Sequence, residues 1–473
     1  MGQEIPNTEF SAEDFARYAE RLAAETALLR EELAAGRFSE DPAPVAGCEI
    51  EAWLLDRHYL PVADNEAFLA RLGNPLVVPE LSRFNIELNC TPRSLSGDAL
   101  RALRAEVERV WAHCQAVAHA GGELAMLIGI LPTLRERDLS LANVSAMNRF
   151  HALNAQVMKA RGGAPIRIDL RGREQLRLDH GDVMLEAGTT SFQLHLQVPA
   201  SRILRYYNAA QLLAGPMVAL AANSPLLFGR DLWAETRIRL FEQAVALGTA
   251  QDSRVGFGHD WLVGSPHALF AENLARHAPL LPLVVDAPPT QYAHLKLHNG
   301  TIWRWNRLLV GTEGEASLRL EHRVMAAGPS FVDMFANAAL FYGAIRELAE
   351  AECAPEHVMP FAAARRNFYA GAELGLEAVF DWRDTARVPA ADLIAEVLVP
   401  LARRGLAALG IAREDSEPLL QIVTQRARSG RNGAWWQRAW LAAHRDDPDR
   451  LRALTARYVE HQRQGNPVHE WEL

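Results

Sequence analysis

The sequence predicts an α+β protein whose sheet carries a polar working face, and three observations support that class. Four stretches far apart in the chain alternate apolar and polar residues, as strands do when one face is buried. Helical patterns separate these stretches, and almost the whole chain after about residue 331 has a helical pattern. No internal repeat and no linker composition marks a boundary. We therefore expect residues 1–330 to form one catalytic α+β core and residues 331–473 to form a helical C-terminal elaboration packed on the same domain.

Helices and strands interleave in the first half of the chain. A capping box at Ser11 and Asp14 and a stop at Gly36 predict a helix over residues 11–36. The patterns that follow predict strands at about 46–55 and 83–90, a helix over 98–120, a buried strand at 124–128, a helix over 139–160, strands at 166–171 and up to Val198, and a helix at roughly 204–222.

Strands return in the middle of the chain. The stretch His294–His298 alternates, and Asn299-Gly300 is typical of a tight turn ahead of a strand at 301–305. A further strand is predicted at 317–324. About five helices are expected after residue 331.

Composition and charge exclude several classes of protein. The chain of 473 residues is 49% hydrophobic and 23% charged, as in ordinary soluble proteins, and its net charge of -9 disfavours a nucleic-acid partner. No apolar run is long enough to span a bilayer, and the segment MGQEIPNTEF lacks the regions of a signal peptide. Four well-separated cysteines without a CxxC pair predict buried free thiols and a cytoplasmic location.

The polar phases of the four alternating stretches hold side chains that bind metals and phosphates. They contribute Glu49 and Glu51; Glu87 between two asparagines; Gln193 and His195 followed by a glutamine; and Arg319, Glu321 and Arg323. Several carboxylates in one cavity repel each other and take up protons unless cations intervene. Oxygen ligands favour Mg²⁺ or Mn²⁺ over zinc, and arginines clamp phosphate or carboxylate oxygens. Phosphoryl transfer fits this composition, with Arg237, Arg239, Arg319 and Arg323 as candidate clamps.

Each of these features has a simpler explanation when taken alone. A single Glu-x-Glu strand is more often a solvated edge, and a histidine such as His195 is more often structural than catalytic. The pair His294 and His298 lies in a strand pattern, which argues against a helical zinc site. The turn Ser429–Gly433 is more often a helix connection than a ligand site. The sequence lacks GxxxxGK[ST], GxGxxG, HExxH and GxSxG motifs, so a P-loop or a kinase scaffold is excluded.

An ordered set of motifs resembles the glutamate–cysteine ligase superfamily, with the bacterial carboxylate–amine ligase branch the nearest. Gly47–Glu51 resembles its G-x-E-x-E opening, and Glu80-Leu81 with Ile86–Pro92 resembles its ELNTP segment, although Cys90 departs from it. The later matches are Thr190–His195, Ala222–Pro225 with Gly229 and Thr236-Arg237, Leu297–Trp303, and Leu320–Arg323. They cover residues 47 to 323 in the expected order.

The resemblance implies a glutamine-synthetase-like fold: a curved antiparallel sheet forming a funnel, with helices outside it and ATP with Mg²⁺ or Mn²⁺ inside. It implies that ATP phosphorylates the side-chain carboxylate of L-glutamate and that an amine such as L-cysteine attacks the acyl phosphate. Carried over by position, the metal ligands are Glu49, Glu51, Glu87 and Glu321, with Glu80 a weaker candidate. Gln193, His195 and Arg319 would bind nucleotide or metal, and Arg237 and Arg323 would stabilise the phosphoryl group or the substrate carboxylate.

The acceptor amine, the choice between Mg²⁺ and Mn²⁺, a homodimer and the role of residues 331–473 stay open at this point. Two other readings compete with a glutamate–cysteine ligase. One is a ligase that joins glutamate or another acid to a different amine. The other is a non-catalytic relative that binds a ligand on the same scaffold.

Overall fold

The computed structural model describes residues 4–248, 253–383 and 386–473. Its strands are β1 (Val45–Leu55), β2 (Val77–Pro79), β3 (Asn85–Asn89), β4 (Arg93–Ser94), β5 (Leu124–Met126), β6 (Ile166–Arg171), β7 (Gln175–His180), β8 (Ser191–Gln197), β9 (Leu226–Leu227), β10 (Arg230–Asp231), β11 (Val255–Gly256), β12 (Trp303–Arg304), β13 (Asn306–Gly311), β14 (Ser317–Ala326), β15 (Val379–Trp382) and β16 (Ala386–Pro389).

The four predicted strands with polar phases lie side by side in one open antiparallel sheet. Its order is β13-β14-β8-β1-β3-β2, and the short strands β4 and β5 pair with opposite ends of β1. The long strand β1 is therefore central, and it has β3 on one side and β8 on the other. This arrangement confirms the predicted α+β class and the antiparallel sheet.

The helices are α1 (Ala12–Ala34), α2 (Asn65–Leu72), α3 (Ala99–Ala120), α4 (Asn148–Ala160), α5 (Ile203–Ala221), α6 (Thr236–Ala244), α7 (His267–Arg276), α8 (Ala293–Asn299), α9 (Phe331–Glu350), α10 (Phe361–Leu374), α11 (Ala390–Asp392), α12 (Val399–Ala408), α13 (Arg413–Ser429), α14 (Gly433–Ala443) and α15 (Arg450–Gln464). A π-helical segment, Leu393–Leu398, joins α11 to α12. Among the described residues, no helix combines the length and the apolarity that a bilayer crossing requires.

Two central helices cover the apolar side of the sheet. Nearly every residue of α5 and α9 is buried, as expected for helices that are apolar all round. Helix α5 packs on β14 and α9, while α12 and α13 pack on the outer side of α9. Tyr342 of α9 donates hydrogen bonds to the backbone oxygens of Gly47 in β1 (3.0 Å) and His195 in β8 (3.1 Å). The boundary near residue 330 stays a prediction, but α9 lies directly beneath the central strands.

The prediction of a strand at residues 294–298 is wrong, because these residues form the helix α8. Seven residues with buried positions on several sides do not show a helical period, so a short buried helix imitates strand alternation. Gly300 ends this helix and does not form a hairpin turn, and only Trp303-Arg304 of the following stretch is a strand. His294 and His298 thus share a helix, but they bind other partners: His294 Nδ1 lies 2.6 Å from Glu25 Oε1, and His298 Nε2 lies 3.3 Å from the backbone oxygen of Asn273.

Smaller differences concern element ends. The helix predicted over 139–160 begins at Asn148, because residues 136–143 form short 3₁₀ turns. Strand β6 pairs with β7 in a separate hairpin. The C-terminal region also contains the hairpin β15–β16, so it is not wholly helical.

The cysteines are all free thiols, and three of them, Cys48, Cys90 and Cys114, are buried as predicted. The prediction of burial is wrong for Cys353, which is exposed. Cys353 follows the C-terminal end of α9, where the chain leaves the core and turns towards Pro355–His357.

Candidate active site

Strand pairing brings the predicted polar side chains together on one face of the sheet. Across β1 and β3, Glu51 lies opposite Glu87. Glu49 lies opposite Gln193 on β8, and Glu321 of β14 lies opposite His195. The four glutamates and Gln193 line a cavity of about 570 Å³, which we call the main cavity, and His195 lies buried beside Glu49 and Glu321. The size of the cavity is within the range of small-molecule sites.

The first acidic group consists of Glu49, His195 and Glu321, which offer one ligand atom each within 4.8 Å of one another. His195 Nε2 lies 3.1 Å from Glu49 Oε1 and 4.0 Å from Glu321 Oε1. Neither ring nitrogen of this buried histidine has a hydrogen-bond partner in the described part of the chain. A buried polar ring that converges with two carboxylates is the geometry of a metal ligand set.

Cations of the protein already balance the first acidic group. Arg307 binds Glu321 with two hydrogen bonds, of 2.7 and 3.0 Å, and Arg323 lies 3.3 Å from the same carboxylate. Burial opposes ionisation of Glu321, but Arg307 and Arg323 outweigh it and hold its pKa well below the usual range. Burial likewise opposes ionisation of Glu49, and His195 outweighs it, so the pKa of Glu49 falls to about 2. Both carboxylates are ionised at neutral pH.

The second acidic group consists of Glu51, Glu80 and Glu87, whose ligand atoms also lie within 4.8 Å of one another. Glu51 accepts hydrogen bonds from the backbone and hydroxyl of Ser191 (2.7 and 2.8 Å) and from Gln193 Nε2 (2.9 Å). Asn89 Nδ2 donates to Glu87 Oε1 at 3.0 Å. The donors to Glu51 are thus neutral groups that fix the orientation of its carboxylate.

The pKa values of the second acidic group are raised. Burial is the main cause, and neighbouring carboxylates add to it: the pKa rises to about 7 for Glu51, about 7 for Glu80 and about 8 for Glu87. Such a group takes up protons at neutral pH unless a divalent cation replaces them. Its oxygen-only ligands fit Mg²⁺ or Mn²⁺, whereas the first acidic group adds an imidazole nitrogen.

Cationic side chains face these carboxylates across the main cavity. Among the described residues, its lining includes five of them: Arg149, Lys296, Arg307, Arg319 and Arg323. The buried Nε of Arg319 has no hydrogen-bond partner among the described residues, so its guanidinium is available to a ligand. A cavity with acidic groups on one side and guanidinium groups on the other suits a nucleotide triphosphate bound through divalent metal ions.

The remaining candidate arginines lie outside the main cavity. Arg237 is buried, hydrogen-bonds to Glu235 (3.2 Å) and to the backbone oxygen of Val324 (2.5 Å), and stacks on Trp305. With Arg323 it lines an adjoining space of about 40 Å³, which we call the inner chamber. Arg239 binds Glu242 at 2.6 Å beside the rings of Trp233 and Tyr369, and it lines neither space.

The glycine-rich turn Ser429–Gly433 connects two helices and does not line the main cavity. Gly430 ends α13 in a left-handed conformation (φ +69°), and Asn432 caps α14. A Cβ atom at Gly433 would lie 2.1 Å from Asn223 Oδ1, so this close approach requires glycine. The turn thus anchors the C-terminal helices to the Asn223-Ser224-Pro225 segment.

Sequence reasoning missed several residues that line the main cavity. Arg307 lies opposite Glu321 in the β13–β14 hairpin, and a turn centred on Gly314 would have predicted that register. Arg149 and Lys296 lie on helices whose patterns mark only burial. Glu186 lies in a 3₁₀ segment, Val183–Gly188, and no strand periodicity reaches it.

Comparisons with known proteins agree with this geometry. The model of the glutamate–cysteine ligase family 2 matches residues 45–456. None of the curated proteins matches the chain in sequence. The fold is similar to that of glutamate–cysteine ligase from Francisella tularensis in complex with AMP, with a TM-score of 0.57 and 11% identity over 92% of this chain and 96% of that one.

A second solved structure has the same fold over part of its length. It is a bifunctional glutathione synthetase from Pasteurella multocida, with a TM-score of 0.51 and 11% identity over 93% of this chain and 55% of that one. At these identities the structures show the fold, and the family model shows the relationship. This chain belongs to the glutamate–cysteine ligase family 2, and it is an ATP-dependent ligase that joins a carboxylate to an amine.

Proposed function

We propose that the protein is a glutamate–cysteine ligase that forms an amide through an acyl-phosphate intermediate, with Mg²⁺ or Mn²⁺. The observation that carries this proposal is the main cavity, where two acidic groups face five cationic side chains among the described residues. An acyl phosphate needs charge neutralisation on its phosphoryl oxygens and protection from water. A buried cavity with both features meets these needs.

The two acidic groups would hold the metal ions. Glu49, His195 and Glu321 would bind one ion, and Glu51, Glu80 and Glu87 another. Bound there, a divalent metal would neutralise phosphate oxygens and orient the transferring group. Ser191 and Gln193 keep the Glu51 carboxylate in a fixed orientation, which limits the rearrangement that ion binding requires.

The arginines would act on the transferring phosphoryl group and the acid substrate. Among the described residues the buried Nε of Arg319 has no partner, and Arg319 would bind nucleotide phosphates, with Gln193 and His195 as further nucleotide or metal ligands. Arg323 donates to Gln193 and lies between the main cavity and the inner chamber, where it would neutralise charge on the phosphoryl group. Arg237 lines the inner chamber and would bind the substrate carboxylate, or hold Arg323 in position by donating to its backbone oxygen.

The test is ADP release by the purified protein with ATP, Mg²⁺ and L-glutamate, with and without L-cysteine and a panel of other amines. We expect glutamate-dependent release that L-cysteine stimulates. Stimulation by a different amine would keep the chemistry and change the acceptor. Protein that binds Mg-ATP but releases no ADP under any combination would support the non-catalytic alternative and contradict the proposal.

Replacement of Mg²⁺ by Mn²⁺ in the same assay distinguishes the two metals. A cytoplasmic location and a homodimer remain predictions. Light scattering of the purified protein tests the oligomeric state.

A further inference from the structure

One half-buried carboxylate in the main cavity belongs to neither acidic group. Among the described residues, seven glutamates line this cavity. Five of them form the acidic groups, and Glu313 is exposed at the rim. The seventh, Glu186, lies on the 3₁₀ segment just before β8. It lines both the main cavity and the inner chamber, at the place where the two meet.

The side chain of Glu186 has no partner of its own. Within the described parts of the chain it makes no hydrogen bond and no ion pair. By contrast, Glu51 accepts three hydrogen bonds and Glu321 has two arginine partners. The carboxylate is half-buried in the cavity wall, so it can accept hydrogen bonds from a ligand that supplies donors.

The ligand that Glu186 fits is cationic and distinct from the metals. Each acidic group already offers three ligand atoms without it. Nucleotide phosphates are anionic, and the basic side chains Lys296, Arg307 and Arg319 line only the main cavity. The inner chamber adds hydroxyl groups from Thr189, Thr190 and Ser191, which suit a small polar reactant.

We propose that Glu186 binds the ammonium group of the amine substrate where the main cavity meets the inner chamber. This inference rests on the proposed function, because it assigns the amine subsite of that same cavity. Glu51 and Arg323 line both spaces as Glu186 does, so the amine would lie near them, whereas Arg319 lines only the main cavity. An amine held there lies next to the carboxylate that is being activated.

The test compares Glu186→Gln with the matched control Glu313→Gln, which removes an exposed rim carboxylate of the same cavity. A charge-assisted hydrogen bond contributes enough that its loss should raise the KM for the amine by about 10- to 100-fold. We expect the KM for ATP to change less than about twofold, and a rise in the KM for L-glutamate in place of that for the amine would overturn the assignment, since L-glutamate also carries an ammonium group. Glu186→Asp keeps the charge on a shorter side chain and should give an intermediate KM for the amine. The control should resemble the parent protein.

Two results would overturn the assignment. One is an unchanged KM for the amine in a folded Glu186→Gln variant, and the other is a change confined to the Mg²⁺ requirement. The Gln side chain keeps the shape and removes only a half-buried charge, so we expect the variant to fold, and thermal melting checks it.

A binding measurement separates this inference from the proposed function. If the parent protein releases no ADP, the ligase proposal fails, and thermal shift with L-cysteine and simple primary amines still tests Glu186. Stabilisation of the parent and of Glu313→Gln, but not of Glu186→Gln, supports the ammonium subsite. Equal stabilisation of all three proteins, or of none, overturns it.

Discussion

The two acidic groups lie on neighbouring strands of the same sheet, yet they solve the problem of buried negative charge differently. Arg307, Arg323 and His195 lie against the first acidic group, and its carboxylates stay ionised. In the second acidic group Glu51 is held by the neutral donors Ser191 and Gln193, and burial with mutual repulsion raises the pKa values of the group to between about 7 and about 8. The first is therefore charged before any ligand arrives, whereas the second tends to take up protons until a cation is added.

The largest effect is expected from the second acidic group. Glu87→Gln removes one of its charges and one metal ligand atom, and turnover should fall by about 1,000-fold or more, since a bound metal ion contributes several kcal/mol to the transition state. ADP release measures turnover, and circular dichroism checks that the fold is intact. Glu51→Gln should behave alike. Full activity in either folded variant would remove that residue from the metal ligand set.

Removing a cationic partner of the first acidic group should lower the free energy of unfolding. Arg307→Ala leaves the buried Glu321 without its two strongest hydrogen bonds, and we expect the free energy of unfolding to fall by about 3 kcal/mol. Urea denaturation measures this change. Arg319→Ala is the matched control, because Arg319 makes no ion pair among the described residues. Equal losses in the two variants would contradict the difference between the acidic groups.

The dependence of stability on pH should distinguish the groups in metal-free protein. Glutamates of the unfolded chain release protons near pH 4.5, but the folded second acidic group keeps them to about pH 7 to 8. Its contribution therefore lowers the free energy of unfolding as pH rises from 4.5 to 8, and it levels off above pH 8. The first acidic group acts oppositely: its stabilisation is present above pH 4.5 and is lost as pH falls through about 2 for Glu49.

Melting temperatures in EDTA at pH 6 and pH 8.5 test whether the stability of the metal-free protein falls as pH rises. Mg²⁺ should stabilise the protein more at pH 8.5. Glu87→Gln should flatten the dependence above pH 4.5, because it removes one of the titrating groups. A melting temperature in EDTA that rises between pH 6 and pH 8.5, and rises equally in the variant, would contradict the raised pKa values.

The smallest effect on turnover is expected from a residue outside both acidic groups. Arg239 binds Glu242 away from the main cavity, so Arg239→Ala should change turnover by less than about twofold. Steady-state ADP release checks this. A large loss of activity would mean that Arg239 acts on the site through the ring of Tyr369 or Trp233.

The sheet that carries both groups was predictable because strand alternation is a local property. In β1, β3, β8 and β14 apolar residues alternate with polar ones, so the sequence alone shows which side chains share a face. These strands then pair as antiparallel neighbours, which brings their polar faces together. The division into two groups was not predictable. It depends on the cross-strand register, which places Glu321 beside His195 and Glu51 beside Glu87, and on Arg307 from a strand without a clear pattern.

Residues outside the alternating strands were harder to find for a related reason. Glu80 follows β2 and was named only through the family resemblance, and Glu186, in a 3₁₀ segment, was not named at all, because only tertiary packing brings them to the cavity. The helix α8 was misread because seven buried residues carry too little periodicity to separate a helix from a strand.

The hydrogen bonds of the Tyr342 hydroxyl limit where the chain can be divided into fragments that still fold. The hydroxyl reaches the backbone of β1 and β8 from a helix that the chain makes only after residue 330, directly behind Glu49 and His195. A fragment that ends at residue 330 would lack the helix that covers those strands, and the apolar side of its sheet would be open to water. Fragment-complementation designs should therefore supply residues 331–473 in trans from the start, and fusion tags or insertions belong at the exposed turns between the outer helices.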